Sequence, residues 1–437
     1  MSRNFKGGVH PPENKELTKD KPIEQFESVP GYVYIPLQMH AGKPAVPVVG
    51  EGDEVKTGQL IARAQDGISA NVHSSVTGKV VAIEKKKPLP NGAKGDWLVI
   101  EAQQEDEWEL LPEIDWKEAT PAELKERAFE AGIVGMGGAA FPTHIKLSPP
   151  KPVDTFILNA AECEPFLTCD YRLLVEKPRQ VLEGMMALMK AVGVQKGFIG
   201  IESNKADVVR TLEREIAAIP YGDIKVKILP TRYPQGSEKQ LIYAITGRKV
   251  PLGGLPHDVG VLVNNVGTAY AFYQSLKFGK PLVERVITVS GKVSKPGNYR
   301  VRIGTSFRFV LEQVGYVVEE GRVVAGGPMM GVAQSTLDVP VVKGTSGIIL
   351  LGKEDFYVPS SMTEFNCIRC SRCVDVCPMN LVPTTIAFYA VRRKFEDAKK
   401  WGAMACIECG SCAYACPAKL PLVQAIRYAK QVIRVMR

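Results

Sequence analysis

Eight of the ten cysteines fall into two runs of one spelling, CIRCSRCVDVCP and CIECGSCAYACP. The first holds Cys367, Cys370, Cys373 and Cys377; the second holds Cys406, Cys409, Cys412 and Cys416. Both read C-x2-C-x2-C-x3-C-P, a spacing whose thiolates bind cubane [4Fe–4S] clusters. Three thiolates two residues apart wrap one face of a cubane, and the fourth, set before a proline, points away to a second cubane. One cluster then takes Cys367, Cys370, Cys373 and Cys416, and the other takes Cys406, Cys409, Cys412 and Cys377. Zinc is the competing metal, but it takes four ligands, usually from two separated C-x2-C pairs. Two four-cysteine runs, each closed by proline, fit that poorly. The chemistry on offer is single-electron transfer, which needs a partner.

A second candidate is the stretch AGIVGMGGAAFPTHIKLSPP, residues 131–150. Gly135, Gly137, Gly138 and Ala140 match G-x-G-x-x-[GA], but a dinucleotide fingerprint must follow a strand and open a helix. The residues before it read as a helix instead. Thr120 is an N-cap, Pro121 sits at the first helical position, Glu123 completes a capping box and Gly132 is a stop. Pro142 would disturb a helix begun at Gly137. The loop alone is therefore a flexible turn or a phosphate cradle of another fold. Three later segments carry polar groups suited to a nucleotide: NAAECEP with Asn159, Glu162 and Glu164; YPQGSEKQL with Tyr233, Gly236 and Glu238; and VNNVGT with Asn264, Asn265 and Thr268. Glycines let backbone N–H groups approach a flavin or phosphate closely. Lys146 can meet a phosphate, and the asparagines can hydrogen-bond a flavin ring or a phosphate. Singly, each segment reads equally as a turn, a helix start or a solvated edge.

Together, and in this order, the four segments resemble the FMN- and NADH-binding subunit of respiratory complex I. The resemblance implies that Gly135, Gly137, Gly138, Ala139, Lys146, Asn159, Tyr233, Gly236, Asn264, Asn265 and Thr268 line a cofactor site. It places Glu162 and Glu238 at the flavin, Glu164 on the NADH side, and Phe141 against the nicotinamide nucleotide. The chain departs from that pattern in three ways. Met136 stands where the loop usually has a basic residue, two clusters replace one, and an extra β domain comes first. That arrangement, with FKGGVHPPENK and IPLQMHAGKPA near the start, is similar to the C subunits of Rnf electron-transport complexes. The family implies a membrane-bound ferredoxin:NAD+ oxidoreductase coupled to Na+ or H+ translocation. The implied cofactors are FMN, NAD(H) and two [4Fe–4S] clusters. The implied partners are other subunits of the complex, including an iron–sulfur subunit that accepts electrons from ferredoxin. The chain would lie peripherally on the cytoplasmic face of the cell membrane. Two other readings stay open: the NADH-oxidising subunit of a hydrogenase or formate dehydrogenase, and a cluster-bearing adaptor whose flavin fold is vestigial.

The elements that must position these residues imply a multidomain α/β chain. Residues 1–30 read as an arm, and residues 31–105 as short strands and turns resembling a biotinyl/lipoyl-type barrel-sandwich. Residues 118–282 alternate strands and helices, the pattern of an α/β layer sheet that would bind FMN and NADH. Residues 283–352 suggest a β-grasp, SLBB-like module. Residues 356–437 read as an α-helical ferredoxin-type domain, because the spacer between the two cysteine runs is helical in pattern. The polar N-terminus has no signal-peptide core and no run of 18 apolar residues occurs, so a cytoplasmic, reducing compartment is expected. The net charge of +8 is uneven, with ten acidic residues and two lysines in 101–126 and twelve Lys or Arg against five acids from residue 356 on. The basic surplus serves the charge balance of the clusters, and nucleic-acid binding is a poor reading because no basic stretch interleaves with aromatics. Cys163 and Cys169 lie outside the runs and read as buried thiols or redox groups. The basic tail LVQAIRYAKQVIRVMR could touch anionic lipid, a partner subunit or only solvent.

Overall fold

The computed structural model describes residues 4–316, 321–355 and 365–436. Residues 356–364, the expected start of the cysteine-bearing domain, lie outside that set, as do 1–3 of the arm, 317–320 of the β-grasp module and Arg437.

The flavin-type domain is built on a four-stranded parallel sheet. Its spatial order is Asp223–Leu229, Lys196–Glu202, Thr155–Ala160, Val261–Asn265. Parallel strands must be covered on both faces, and the side chains here divide accordingly. Phe156, Leu158, Ile199, Ile201 and Leu262 join the main core with the helices Pro178–Val192 and Val266–Lys277. Ile157, Leu229, Val261 and Val263 pack on the opposite face with Leu241, Ile242 and Ala244 of the helix Glu238–Thr246. The helices Cys169–Glu176 and Val266–Lys277 were not read from the sequence. The second is rich in small and aromatic residues and buried almost all round, so it lacks the polar face that a periodicity argument needs.

The main core does not stop at the domain edge. It runs from Val33, Ile61 and Leu98 of the N-terminal β unit through Leu124, Leu158 and Met185 to Val286 and Ile303 of the next module. The β unit comprises a four-stranded and a three-stranded sheet. The β-grasp module is six-stranded, with its own core of Ile287, Tyr299, Phe307, Leu311 and Ile348. Its edge strand is Ile23–Gln25, paired in parallel with Gly297–Arg302. Three residues of the segment expected to be an arm thus form a structural strand, too short to register as a period. Buried Lys343 ties three parts together, since its ammonium donates to the carbonyls of Asn71 and Gly132 at 2.7 Å each.

The helix before the glycine loop forms as expected, over Pro121–Glu130. Thr120 caps it, and the reciprocal Glu123 bond to the Thr120 N–H measures 2.7 Å. In the cysteine-bearing domain the spacer forms the helices Pro383–Val391 and Phe395–Lys400, which pack on Leu422–Val435.

The helices Pro178–Val192 and Val266–Lys277 cross closely at Gly184, where a Cβ would sit 1.9 Å from the carbonyl oxygen of Ala269. Backbone cannot yield as a side chain tip can, so Gly184→Ala is expected to cost about 1–3 kcal/mol or more. A lowered urea midpoint with an unchanged slope is the expected measurement.

Candidate flavin and iron–sulfur site

The sheet order changes direction between Thr155–Ala160 and Val261–Asn265, because the chain moves outward on one side and then returns to the other. Ligands of open α/β sheets bind at such a switch point, beyond the carboxyl ends of the strands. Asn159 and Asn265 face each other in register there. Asn159 donates to the Gly236 carbonyl at 2.8 Å and accepts from the Ala161 N–H at 3.1 Å. Asn265 caps the helix Val266–Lys277 through the Gly267 N–H at 2.8 Å and donates to Asp170. Asn264 is buried, and its amide nitrogen has no partner among the described residues. A Cβ on Gly236 would lie 2.1 Å from the Ala161 carbonyl oxygen, so only glycine lets these two loops meet.

The glycine loop closes over the same strand ends. Gly135 donates to the Phe141 carbonyl at 2.8 Å, and Met136 donates to the Thr268 hydroxyl at 2.9 Å. Thr268, wholly buried, therefore locks the loop to the first turn of the helix. Gly137, Gly138 and Ala139 are left exposed at the tip. Among the described residues no acceptor faces their N–H groups. Phe141 is half-buried beside them. Lys146 lies on the short helix Thr143–Lys146 and pairs with Glu238 at 3.1 Å.

The NAAECEP loop is held from below by two ammonium groups that the sequence did not single out. Buried Lys15 donates to the carbonyls of Glu162 at 2.9 Å, Glu164 at 2.8 Å and Leu167. Lys205 adds a bond to the Glu162 carbonyl at 3.0 Å and pairs with buried Glu202 at 3.2 Å. The Glu162 carboxylate turns to the start of the helix Cys169–Glu176, accepting from the Asp170 N–H at 2.9 Å. Burial, with the charge of Glu162, pushes the Asp170 carboxyl up to about 6. Glu164 turns toward the β-grasp module and accepts from the N–H groups of Met329 and Met330 at 3.1 and 2.9 Å. Burial pushes its carboxyl up to about 7, with those two N–H groups opposing. Cys163 and Cys169 are raised by burial and stay protonated; the Cys163 sulfur accepts from the Gly236 N–H.

The two cysteine runs are copies in backbone as well as spelling. Arg369 and Ser371 adopt positive φ in the first, Glu408 and Gly410 in the second, and Asn380 and Lys419 do so after the prolines. These left-handed turns swing N–H groups toward sulfur, as in Arg369 to Cys367, Glu408 to Cys406 and Leu381 to Cys377 at 3.3–3.4 Å. An apolar cavity is lined by Cys377 of the first run with Cys406, Cys409 and Cys412 of the second. Burial raises the Cys373 thiol, and the Thr384 hydrogen bonds oppose. The fourth cysteine of the first run thus meets three cysteines of the second around one cavity. Among the described residues no three of the eight thiols lie within 4.8 Å of one another.

One side of this domain meets the nucleotide loops. The Tyr233 hydroxyl donates to the Cys409 carbonyl at 2.6 Å and lies 3.4 Å from Glu164. Gly8 donates to Val376, and Val9 and Tyr233 exchange backbone bonds at 2.8 and 3.0 Å. A Cβ on Gly410 would lie 2.6 Å from the Met329 carbonyl oxygen. The other side is open, with Ile368, Arg369, Cys370, Ser371 and Arg372 all exposed. Of the basic tail, Lys430 is buried, bonds the Cys406 carbonyl at 2.7 Å and pairs with Glu408, while Arg427 pairs with Glu408 at 3.1 Å.

Four family models match the chain: the RnfC barrel sandwich hybrid domain over residues 3–105, the Nuo51 FMN-binding domain over 128–274, the SLBB domain over 286–333 and a 4Fe-4S dicluster domain over 366–420. The C subunit of the proton-translocating ferredoxin:NAD(+) oxidoreductase complex of Clostridium ljungdahlii is 47% identical, across 98% of this chain and 94% of that protein. Its counterpart in the Na(+)-translocating complex of Acetobacterium woodii is 45% identical, across 99% and 98%. The chain belongs to the RnfC family. An NAD+-reducing [NiFe]-hydrogenase in the H2-reduced state shares the fold with a TM-score of 0.54 at 19% identity, across 71% of this chain and 64% of that one. For an RnfC-family chain, the barrel-sandwich, flavin-type, β-grasp and dicluster parts are the expected set, and the architecture expected from the sequence holds.

Two measurements test the geometry. Lys15→Met would leave the Glu164 and Leu167 carbonyls without their donor, each costing about 1–3 kcal/mol, while the Glu162 carbonyl keeps its bond from Lys205. A stability loss of roughly 2 kcal/mol or more is expected in urea titration, with exposure of the NAAECEP loop to proteolysis. Burial pushes the Glu164 carboxyl up to about 7 in the folded chain, against 4.5 for an ordinary glutamate. Between those values the folded chain holds the proton and the unfolded chain does not, so stability falls as pH rises through that window. Glu164→Gln should flatten the fall in melting temperature over the same window relative to the parent protein.

Proposed function

We propose that this chain is the NAD(H)-exchanging electron-transfer subunit of an ion-translocating ferredoxin:NAD+ oxidoreductase. The relatives that match it across nearly their whole length carry that name. When bound, FMN converts two-electron exchange with NAD(H) into single electrons, which two [4Fe–4S] clusters carry to or from partner subunits. The observation that carries the reading is the seam at Tyr233, where the loop bearing Gly236 touches the backbone of Cys409. A flavin held beside Gly236 would stand next to one cluster and apart from the other.

The residues divide the work by position. The free N–H groups of Gly137, Gly138 and Ala139 hold the nucleotide with Lys146, whose ammonium can leave Glu238 for a phosphate. Asn159, Asn264 and Asn265 offer amides at the strand ends, and Gly135 and Thr268 keep the loop in shape. Gly236 and Tyr233 form the wall toward the cluster. Phe141, half-buried at the mouth, is placed to stack on a nicotinamide ring. Glu162 acts by holding the loop and the start of the following helix, and Glu164 by closing the β-grasp loop over the seam. Cys377, Cys406, Cys409 and Cys412 hold the proximal cluster, and Cys367, Cys370, Cys373 and Cys416 the distal one.

The distal cluster has an exposed edge of Ile368, Arg369, Cys370 and Arg372. Such an edge suits a single-electron partner of negative surface charge, an iron–sulfur subunit of the same complex, because complementary charge steers docking. No helix among the described residues is long and apolar enough to cross a membrane. The chain therefore reaches the cytoplasmic face of the membrane through its partners.

Reconstituted anaerobically with iron, sulfide and FMN, the protein should hold about eight iron atoms, and NADH should bleach its flavin absorbance. A flavin that NADH cannot reduce defeats the reading. Cys370→Ser should lower iron to about four atoms while NADH still bleaches the flavin, and Lys146→Ala should weaken FMN retention at least tenfold with iron unchanged.

A further inference from the structure

Arg285 opens a question that the site residues leave unanswered. It lies on the strand Glu284–Gly291 of the β-grasp module, only 3% exposed. Its side chain leaves that module and reaches the glycine loop. The Nε donates to the Thr345 carbonyl at 2.9 Å, one Nη contacts the Met136 sulfur at 2.8 Å, and the other reaches the Met136 carbonyl at 3.5 Å. The guanidinium also presses on the first turn of the helix Val266–Lys277, since a Cβ on Gly267 would sit 2.7 Å from it. These partners are neutral, and a thioether is a weak acceptor.

Among the described residues no carboxylate lies within ion-pair distance of Arg285. Asp170 is near enough to feel its charge, but the Asp170 side chain is bonded to Asn265. Burying a guanidinium with no carboxylate in direct contact is costly, and Asp170 offsets that only through space. The missing anion has an obvious place. The loop tip whose N–H groups are free and the start of a twelve-residue helix converge just beyond Met136 and Gly267, a combination that attracts phosphate.

Resting on the FMN reading above, we propose that Arg285 is a positioning residue that supplies the positive charge for the phosphate end of FMN from the neighbouring module. It acts through the Met136 backbone and through space. The ring end of the nucleotide then lies on the Gly236 and Tyr233 side, facing the proximal cluster. The β-grasp module thereby becomes part of the flavin site, and its docking and phosphate binding reinforce each other.

The test compares FMN with riboflavin, which lacks the phosphate, by fluorescence quenching on the cluster-loaded full chain. The parent protein should bind FMN much more tightly than riboflavin. Arg285→Gln should lose at least tenfold in FMN affinity, with riboflavin affinity within about threefold, and the salt dependence of FMN binding should shrink. Arg285→Lys keeps the charge and loses the fork, so it should melt lower yet retain the preference for FMN over riboflavin. Equal weakening of both ligands in Arg285→Gln, or loss of the preference in a folded Arg285→Lys, overturns the proposal in favour of a purely structural arginine. A parent protein that binds neither flavin overturns the underlying flavin reading instead. If Arg285→Gln does not fold, the Arg285→Lys ratio decides alone.

Discussion

A buried ammonium governs the centre of this molecule. Lys15 enters from the N-terminal segment and gathers the carbonyls of Glu162, Glu164 and Leu167. A loop that turns its carbonyls inward needs a donor there, because unsatisfied buried carbonyls are costly. Burial lowers the Lys15 pKa, and the ring of oxygens is what makes the buried amine tolerable. With its backbone pinned, the loop can point Glu162 one way, to the helix Cys169–Glu176, and Glu164 the other way, to Met329 and Met330. The same N-terminal segment continues back to Gly8 and Val9, which bond Val376 and Tyr233. One stretch of chain therefore sets both the nucleotide loop and the seam to the cysteine-bearing domain.

On the proposed function, that seam would give the electron path a direction in space. The proximal thiols of Cys377, Cys409 and Cys412 are buried, and Cys409 packs with Val9, Tyr233 and Met329. Close backbone contact at Gly7, Gly236 and Gly410 leaves no room for larger side chains. The distal run instead opens at Ile368 and Cys370. Charge follows the same plan. Lys430 sits beneath the Cys406 loop, where a bound cluster would add negative charge, and Glu408 links it to Arg427. The tail helix is thus committed to the domain's own cluster loop over Arg427 and Lys430, and its last described residues are exposed.

Much of this was legible in the sequence, for physical reasons that differ by residue. The capping box at Thr120 and Glu123, the two cysteine runs and the alternation of strands and helices rest on contacts within a few residues, so spacing reveals them. The glycine loop was legible as lying outside the dinucleotide frame because a helix precedes it and Pro142 follows it. Lys15, Lys205 and Arg285 were not legible. Each is one basic residue in an ordinary stretch, and its partner lies far along the chain or in another module. The strand Ile23–Gln25 is three residues long and finds its place only by pairing with Gly297–Arg302.

The order of residue types along the chain pointed to the chemistry: cubane ligation from cysteine spacing, and a flavin site through the resemblance that four segments carry together. Those are local properties, because ligand spacing and backbone freedom act over one or two turns of chain. Tertiary structure alone decided which cluster stands beside the flavin loops, which way Glu162 and Glu164 point, and which cation faces the glycine loop. Each of those choices is made by a buried polar group that had to find its partner across the fold. Only the packed chain brings such partners within hydrogen-bond distance.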